Sequence, residues 1–192
     1  MRIDHKVIVD LIKKDTKVLD LGCGDGELLS ILINKKNCHG TGIEINEKAI
    51  YKCMEKGLSV SHGDIDTGLM DYSDKRFHYV ILNESLQEVL NLNKVIIESL
   101  RVGEQVIVGV PNFCHIKARC QIFFQGKVPV TKNLPHQWYN TPNVRFFSLK
   151  DFEFFCSANN IKIFKKITVG TTRIVNFMPN MFSMFGIYLL KR

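Results

Sequence analysis

Apolar positions recur at two periods along this chain, and the switches between them mark out its elements. Ile3, Val7, Ile8, Leu11 and Ile12 fall on one helical stripe, so residues 3–13 predict an amphipathic helix with Lys13 and Lys14 at its negative C-terminal end. Val18, Leu19 and Leu21 read as a buried strand, and Gly22, Gly24 and Gly26 as a turn. Leu28, Leu29, Ile31 and Leu32 return to helical spacing up to about Lys35. Residues 38–44 form a short strand ending in Glu44, and Asn46 is a good N-cap for a helix to about Lys56. Residues 58–63 and 77–82 are further strands, separated by a polar, turn-like 67–76. A helix over 93–100 buries Val95, Ile96 and Leu100, and Arg101-Val102-Gly103 ends it in the manner of a C-cap. Val106, Ile107, Val108 and Val110 make 104–110 a central strand covered on both faces.

The alternation breaks after that strand. Residues 111–147 form an insertion in which Ile116, Ala118, Ile122 and Phe123 suggest a helix with Lys117 and Arg119 exposed. Pro129, Pro135 and Pro142 then exclude a long helix from 127–143. Aromatics and prolines are not a disorder composition, and long loops in compact domains usually carry function. Two readings stand: a lid or partner surface over a crevice, or a structural cap whose Trp138 and Tyr139 fill a satellite core. Ser148 and Asp151 then open a helix to about Ala158, with Phe152, Phe155 and Cys156 inward. Strands over 161–169 and 185–190 follow, separated by an apolar, adaptable Met178–Met184.

Strands alternating with helices predict a doubly wound α/β sheet, and 192 residues suit a single domain. No apolar run approaches the ~20 residues of a membrane helix, and the N-terminus lacks the apolar core of an export signal. The expected compartment is the cytoplasm. The cysteines at 23, 38, 53, 114, 120 and 156 contain no C-x-x-C pair, so free thiols are expected rather than a zinc site. The net charge of +7 is uneven: −2 over residues 1–96 and +9 over 97–192. A solvated basic face explains the second half most simply. An anionic substrate, an acidic partner or nucleic acid would also suit it.

The chemistry centres on Val18-Leu-Asp-Leu-Gly-Cys-Gly-Asp-Gly-Glu-Leu-Leu29. Glycines tolerate the tight turn and let a ligand lie against the backbone, and a helix start follows. A nicotinamide fingerprint has the spacing G-x-G-x-x-G. Here the spacing is G-x-G-x-G with Asp20 at the strand end, which resembles motif I of the class I S-adenosylmethionine (SAM) methyltransferases. A turn that binds no nucleotide is the alternative. Glu44 lies 20 positions beyond Gly24, where a carboxylate can accept from both ribose hydroxyls. The class I pattern implies that Asp64 meets the adenine amino group, leaving Asp66 to hold its loop. It also implies that the reaction centre lies beyond strand 77–82. Asn83, Glu84 and Gln87 stand there; Glu84 is the candidate base and Asn83 joins the cofactor set. The full candidate cofactor set is Asp20, Gly22, Gly24, Gly26, Glu44, Asp64 and Asn83.

The resemblance extends further. With the 18–29 stretch, Asp64-Ile-Asp-Thr-Gly-Leu69, Val80-Ile-Leu82, Leu100-Arg-Val-Gly103, Pro111-Asn-Phe113, Gly126-Lys-Val-Pro-Val-Thr131, Leu134-Pro135 and Trp138-Tyr-Asn-Thr-Pro-Asn143 together resemble the methionine biosynthesis protein MetW family over nearly the whole chain. Cys114, Ile116, His136 and Asn140 depart from its usual Gly, Trp, Tyr and Asp. The resemblance implies a three-layer, Rossmann-like class I methyltransferase fold. Its sheet would be mostly parallel and seven-stranded, with an antiparallel last strand and a lid-like insertion after strand 5. It implies SAM or S-adenosylhomocysteine as the ligand, and an accessory role beside homoserine O-acyltransferase. The same cleft could instead serve methyl transfer to a small molecule. An RNA methyltransferase would use the basic half, but no RNA-binding module is present.

Overall fold

The computed structural model describes residues 1–131 and 134–191; Lys132 and Asn133 of the predicted loop, and Arg192, lie outside the described residues. The chain runs α1 (Ile3–Leu11), β1 (Lys17–Leu21), α2 (Glu27–Lys36), β2 (His39–Glu44), α3 (Glu47–Glu55), β3 (Ser59–His62) and β4 (Phe77–Asn83). It continues through α4 (Leu92–Val102), β5 (Gly103–Pro111), α5 (Ile116–Gln125), α6 (Leu149–Ala158), β6 (Lys162–Val169), α7 (Pro179–Phe182) and β7 (Phe185–Lys191).

The strands form one seven-stranded sheet in the order β3-β2-β1-β4-β5-β7-β6. The pairings from β3 to β5 are parallel, and β7 runs antiparallel to both β5 and β6. Successive side chains on a strand face opposite ways, and this alternation builds two cores. Leu19, Leu21, Val80 and Leu82 pack with Val95, Ile96 and Leu100 of α4 and with Leu149 and Phe152 of α6. Val18, Tyr79 and Ile81 pack on the other face with Ile8 and Ile12 of the N-terminal segment and Leu28 and Leu32 of α2. The expected three-layer α/β architecture is therefore present. Successive strands run outward one way from β1 and the other way from β4, which makes the β1–β4 boundary a topological switch point.

Several boundaries differ from expectation. Helix α1 stops at Leu11, so Lys13 and Lys14 follow it in a turn where the Thr16 hydroxyl donates to the Lys13 carbonyl. Gly103 ends α4 with extended backbone (φ −106°, ψ 148°) and feeds straight into β5, in place of the left-handed cap expected there. Helix α7 was not expected; Pro179 at its first turn starts it within the apolar stretch. The Asn46 cap and the Ser148–Asp151 capping box form as expected.

The insertion departs most. On α5 only Ala118 is buried, while Ile122 and Phe123 point outward instead of inward. Trp138 and Tyr139 are about 70% exposed and fill no satellite core. Polar ties hold the segment in place. Gln121 and Val130 exchange side-chain and backbone hydrogen bonds at 2.9 and 3.1 Å. The Val144 and Arg145 amides donate to the Gln87 carbonyl, and the Arg145 guanidinium donates to the carbonyls of Val89 and Leu90.

The glycine turn is set by two different constraints. Gly26 has φ 76°, and a Cβ there would lie 2.4 Å from Leu58 Cδ1 and 2.9 Å from Cys53 Sγ. Gly24 has φ 54° but faces open space. Gly26→Ala combines backbone strain with overpacking and is expected to lower stability by about 2–4 kcal/mol, against about 1–2 kcal/mol for Gly24→Ala. Urea unfolding of the two variants measures the difference.

Candidate functional site

A cleft of about 590 Å³ opens at the carboxyl ends of the central strands. Asp20, Gly22, Gly24, Glu44, Asp64, Asn83 and Glu84 all line it. Gly26 does not; it is the left-handed residue that starts α2. The sequence-predicted residues come together because β1, β2 and β4 are neighbours in one parallel sheet and end on the same edge.

Glu44 is nearly buried and its carboxylate is shared among three backbone amides. Gly24 N–H donates to Oε2 at 2.8 Å, and the Ile45 and Asn46 N–H groups donate to Oε1 at 2.9 Å each. The glycine loop is thereby tied to the end of β2. Asp20 sits beneath it, 2% exposed, on the sheet face that carries α1 and α2. Burial, and then the Glu44 charge, push the Asp20 carboxyl up to about 7.

Asp64 and Asp66 divide the work at the end of β3. Asp64 Oδ1 accepts from the Asp66 amide at 2.9 Å and lines the cleft. Asp66 accepts from the Leu90 and Asn91 amides at 2.9 and 2.7 Å, which fixes the start of α4. The cleft's far side is a loop after β4 in which Glu84 takes left-handed backbone, φ 60°. A non-glycine residue there is strained, and its amide bond to the Gly109 carbonyl at 3.0 Å helps hold it.

Helix α1 contributes a group that sequence reasoning missed. The Arg2 guanidinium grips Asp4 through two hydrogen bonds at 2.9 and 3.1 Å and also donates to Glu84. Asn83 Nδ2 donates to Asp4 Oδ2 at 3.1 Å. His5 stands 3.6 Å from Glu27 and 3.9 Å from Asp4. Burial disfavours charge on Asp4, but the Asn83 hydrogen bond and the Arg2 charge outweigh it, and the carboxyl lies below its usual range. Burial holds His5 below its ordinary value against the pull of Asp4. Arg2, Asp4 and His5 interrupt the apolar stripe at the start of α1. Asp4 lies three and four positions before Val7 and Ile8, on the buried stripe itself, and Asp4 and His5 are 2% and 6% exposed.

Three polar atoms at this site are buried without a hydrogen-bond partner: His5 Nδ1, Asn83 Oδ1 and Ser85 Oγ. Each has less than 1 Å² of accessible surface, and Asn83 Oδ1 is turned toward Gly109 of β5. The donor set is carboxylates, amides, a hydroxyl, one imidazole and one guanidinium. It suits a polar organic ligand with hydroxyl, amino and cationic groups. Among the described residues no cluster of three or more His, Cys, Asp or Glu could hold a metal ion, and all six cysteines are free. Cys23 lies in the glycine loop, and burial followed by the Asp20 charge pushes its thiol up, away from reactivity. No helix of the described residues is long and apolar enough to cross a membrane.

Comparison with known proteins gives the family and the fold. The sequence profile described as "Methionine biosynthesis protein MetW" matches residues 2–190. A bifunctional methionine biosynthesis protein MetXA/MetW of Rhodopirellula baltica is 31% identical over 176 residues, which is 87% of this chain but 28% of that protein. The chain therefore spans less than a third of this relative's length. Among solved structures, a SAM-dependent methyltransferase from Archaeoglobus fulgidus superposes with a TM-score of 0.73 at 14% identity, covering 98% of this chain and 91% of its own. A possible histamine N-methyltransferase from Thermotoga maritima gives 0.71 at 16% identity, covering 97% and 86%. At these identities the likeness is one of fold: the Rossmann-like fold of SAM-dependent methyltransferases.

The Asp20 shift has a measurable sign. Its folded value near 7 exceeds the usual 3.8, so its favourable contribution is complete below pH 4 and is lost as pH rises through about 7. Asp20→Asn removes that loss. The variant is expected to gain on wild type between pH 5 and pH 8, by about 3 kcal/mol at the upper end, and thermal melts at both pH values read the gap.

Proposed function

Because the chain belongs to the methionine biosynthesis protein MetW family, we propose that its cleft binds SAM or S-adenosylhomocysteine and that the domain serves as an accessory partner of a homoserine O-acyltransferase. The observation that carries the ligand reading is the convergence of Asp20, Glu44, Asp64 and the positive-φ glycines Gly22 and Gly24 on one cleft. Glu44 Oε2, which keeps one acceptor position beside the Gly24 amide, takes a ribose hydroxyl, and Asp64 takes the adenine amino group. Gly22 and Gly24 give the ligand close access to the backbone. Asp20 and Asn83 face its amino-acid end, where a cation removes the penalty on a buried carboxylate. When bound, SAM supplies a sulfonium methyl group; S-adenosylhomocysteine supplies none.

The accessory reading rests on a different surface. The insertion presents Phe123 and Phe124 at 82% and 77% exposure, together with Trp138 and Tyr139. Exposed aromatics concentrated in one segment mark an interaction site. The Rhodopirellula relative carries both names, MetXA and MetW, in one polypeptide. A methyltransferase of a small molecule is the second reading, favoured by a further cavity that meets the cleft at Glu84. Nucleic acid suits the cleft poorly, because Asp20, Asp25, Glu27, Glu44, Asp64, Asp66, Glu84 and Glu88 line it against Arg2 and His5.

Calorimetric titration with SAM and S-adenosylhomocysteine tests the ligand reading. Wild type is expected to bind, and Glu44→Gln to lose about 10- to 100-fold in affinity through weakened charged hydrogen bonds. An unchanged affinity in the variant would remove Glu44 from the site. For the partner, gel filtration with a homoserine O-acyltransferase is expected to show a complex. Phe123→Ser with Trp138→Ser should weaken it at least about tenfold without altering the melting temperature.

A further inference from the structure

A second cavity of about 340 Å³ lies on the other side of Arg2 and Glu84 from the main cleft. It is lined by Ile3, Asp4, Gly170, Thr171, Met184 and Phe185 as well as by those two residues. Arg2 and Glu84 line both spaces, so their ion pair forms the partition. The partition is built from unusual parts. Glu84 holds left-handed backbone at φ 60°. Its carboxylate has no other hydrogen-bond donor than Arg2 among the described residues. The guanidinium is already engaged by Asp4 and lies 6.0 Å over the Phe185 ring.

The charge balance selects the ligand. The cavity has two carboxylates and one guanidinium, and the guanidinium is committed to both carboxylates. An anion would find no free positive group and would approach two negative ones. A cation finds Glu84 as a hydrogen-bonding acceptor, provided that Arg2 lets it go. The remaining walls are Ile3, Met184 and Phe185 with Gly170 and Thr171, whose hydroxyl donates to Met184 Sδ. They suit a hydrocarbon or aromatic body of a few carbon atoms.

We propose that this cavity is a site for a small organic ammonium with an apolar body, its nitrogen on Glu84, and that Arg2 is the lock on it. The lock rests on the ligand reading of the main cleft: a carboxylate presented there exchanges with Glu84 for Arg2 and frees the acceptor. The cavity would then be filled second.

Benzylamine, with benzoate and benzyl alcohol as anionic and neutral controls of the same body, is the probe. Binding is followed by calorimetry and by ligand-observed NMR, alone and with saturating S-adenosylhomocysteine. The expected result is benzylamine binding at least about tenfold tighter with S-adenosylhomocysteine than without, and tighter than both controls. Arg2→Gln should bind benzylamine without any second ligand, and Glu84→Gln should bind it in neither condition; circular dichroism melts confirm that both variants fold. Equal or stronger binding of benzoate overturns the assignment, as does failure of Arg2→Gln to bind benzylamine. Absence of S-adenosylhomocysteine binding, with benzylamine still held by Arg2→Gln, overturns the lock and the reading of the main cleft but leaves the ammonium site standing.

Discussion

The carboxylate of Glu44 is the tie on which the site's shape depends. Three backbone amides converge on it, one from the glycine loop and two from the chain leaving β2. Hydrogen bonds to a charged acceptor stabilise by roughly 1.5–3 kcal/mol each, so the loop is held more firmly than its glycines alone allow. The same charge has a cost. It lies near the buried Asp20 and helps to raise that carboxyl toward neutrality. Loop geometry and buried-acid chemistry are therefore two consequences of one side chain. A cation brought into the cleft relieves the second without disturbing the first.

The charge of the molecule is arranged in two parts. The whole chain carries +7, yet the cleft is lined by eight acidic residues against one arginine and one histidine. Of the residues that line the cleft, only Pro142 comes from the basic second half. The cleft's local field is thus opposite in sign to the net charge. A charged partner and a cationic ligand would be drawn to different surfaces. The exposed rings of the insertion lie in the basic half, so the features that favour a partner and those that favour a small ligand do not compete for the same residues.

Most of the sheet could be read from period alone, because β1, β4 and β5 are buried on both faces and leave continuous apolar runs. The site acids were legible on other grounds: Glu44 from its spacing of 20 beyond Gly24, and Asp64 from the resemblance to the class I pattern. Two features were not legible. Asp4 falls on the buried stripe of α1, but the sequence does not show that Arg2 and Asn83 pair with it there, or that His5 is buried beside it. The apolar stripe of α5 misled in the opposite direction. Ile122 and Phe123 have helical spacing, but no element packs over that face among the described residues, so the period marks an exposed apolar surface instead of a core. Periodicity reports that a face is apolar; it does not report what covers it.

The insertion and the cleft meet in one short segment. Gln87, Val89 and Leu90 accept hydrogen bonds from Val144 and Arg145, while Glu88, Val89 and Leu90 line the cleft. Asp66 bonds the Leu90 amide from the opposite side. This loop cannot shift on one side without changing contacts on the other. Energetic coupling needs no more than that: an element whose position two sites both bias, with a ligand that binds one arrangement better than the other. By reciprocity, whatever a cleft ligand does to the affinity at the insertion, an occupant of the insertion does to the ligand. A guanidinium tied to two carbonyls is a suitable part for such a link. It loses both hydrogen bonds together when the loop moves.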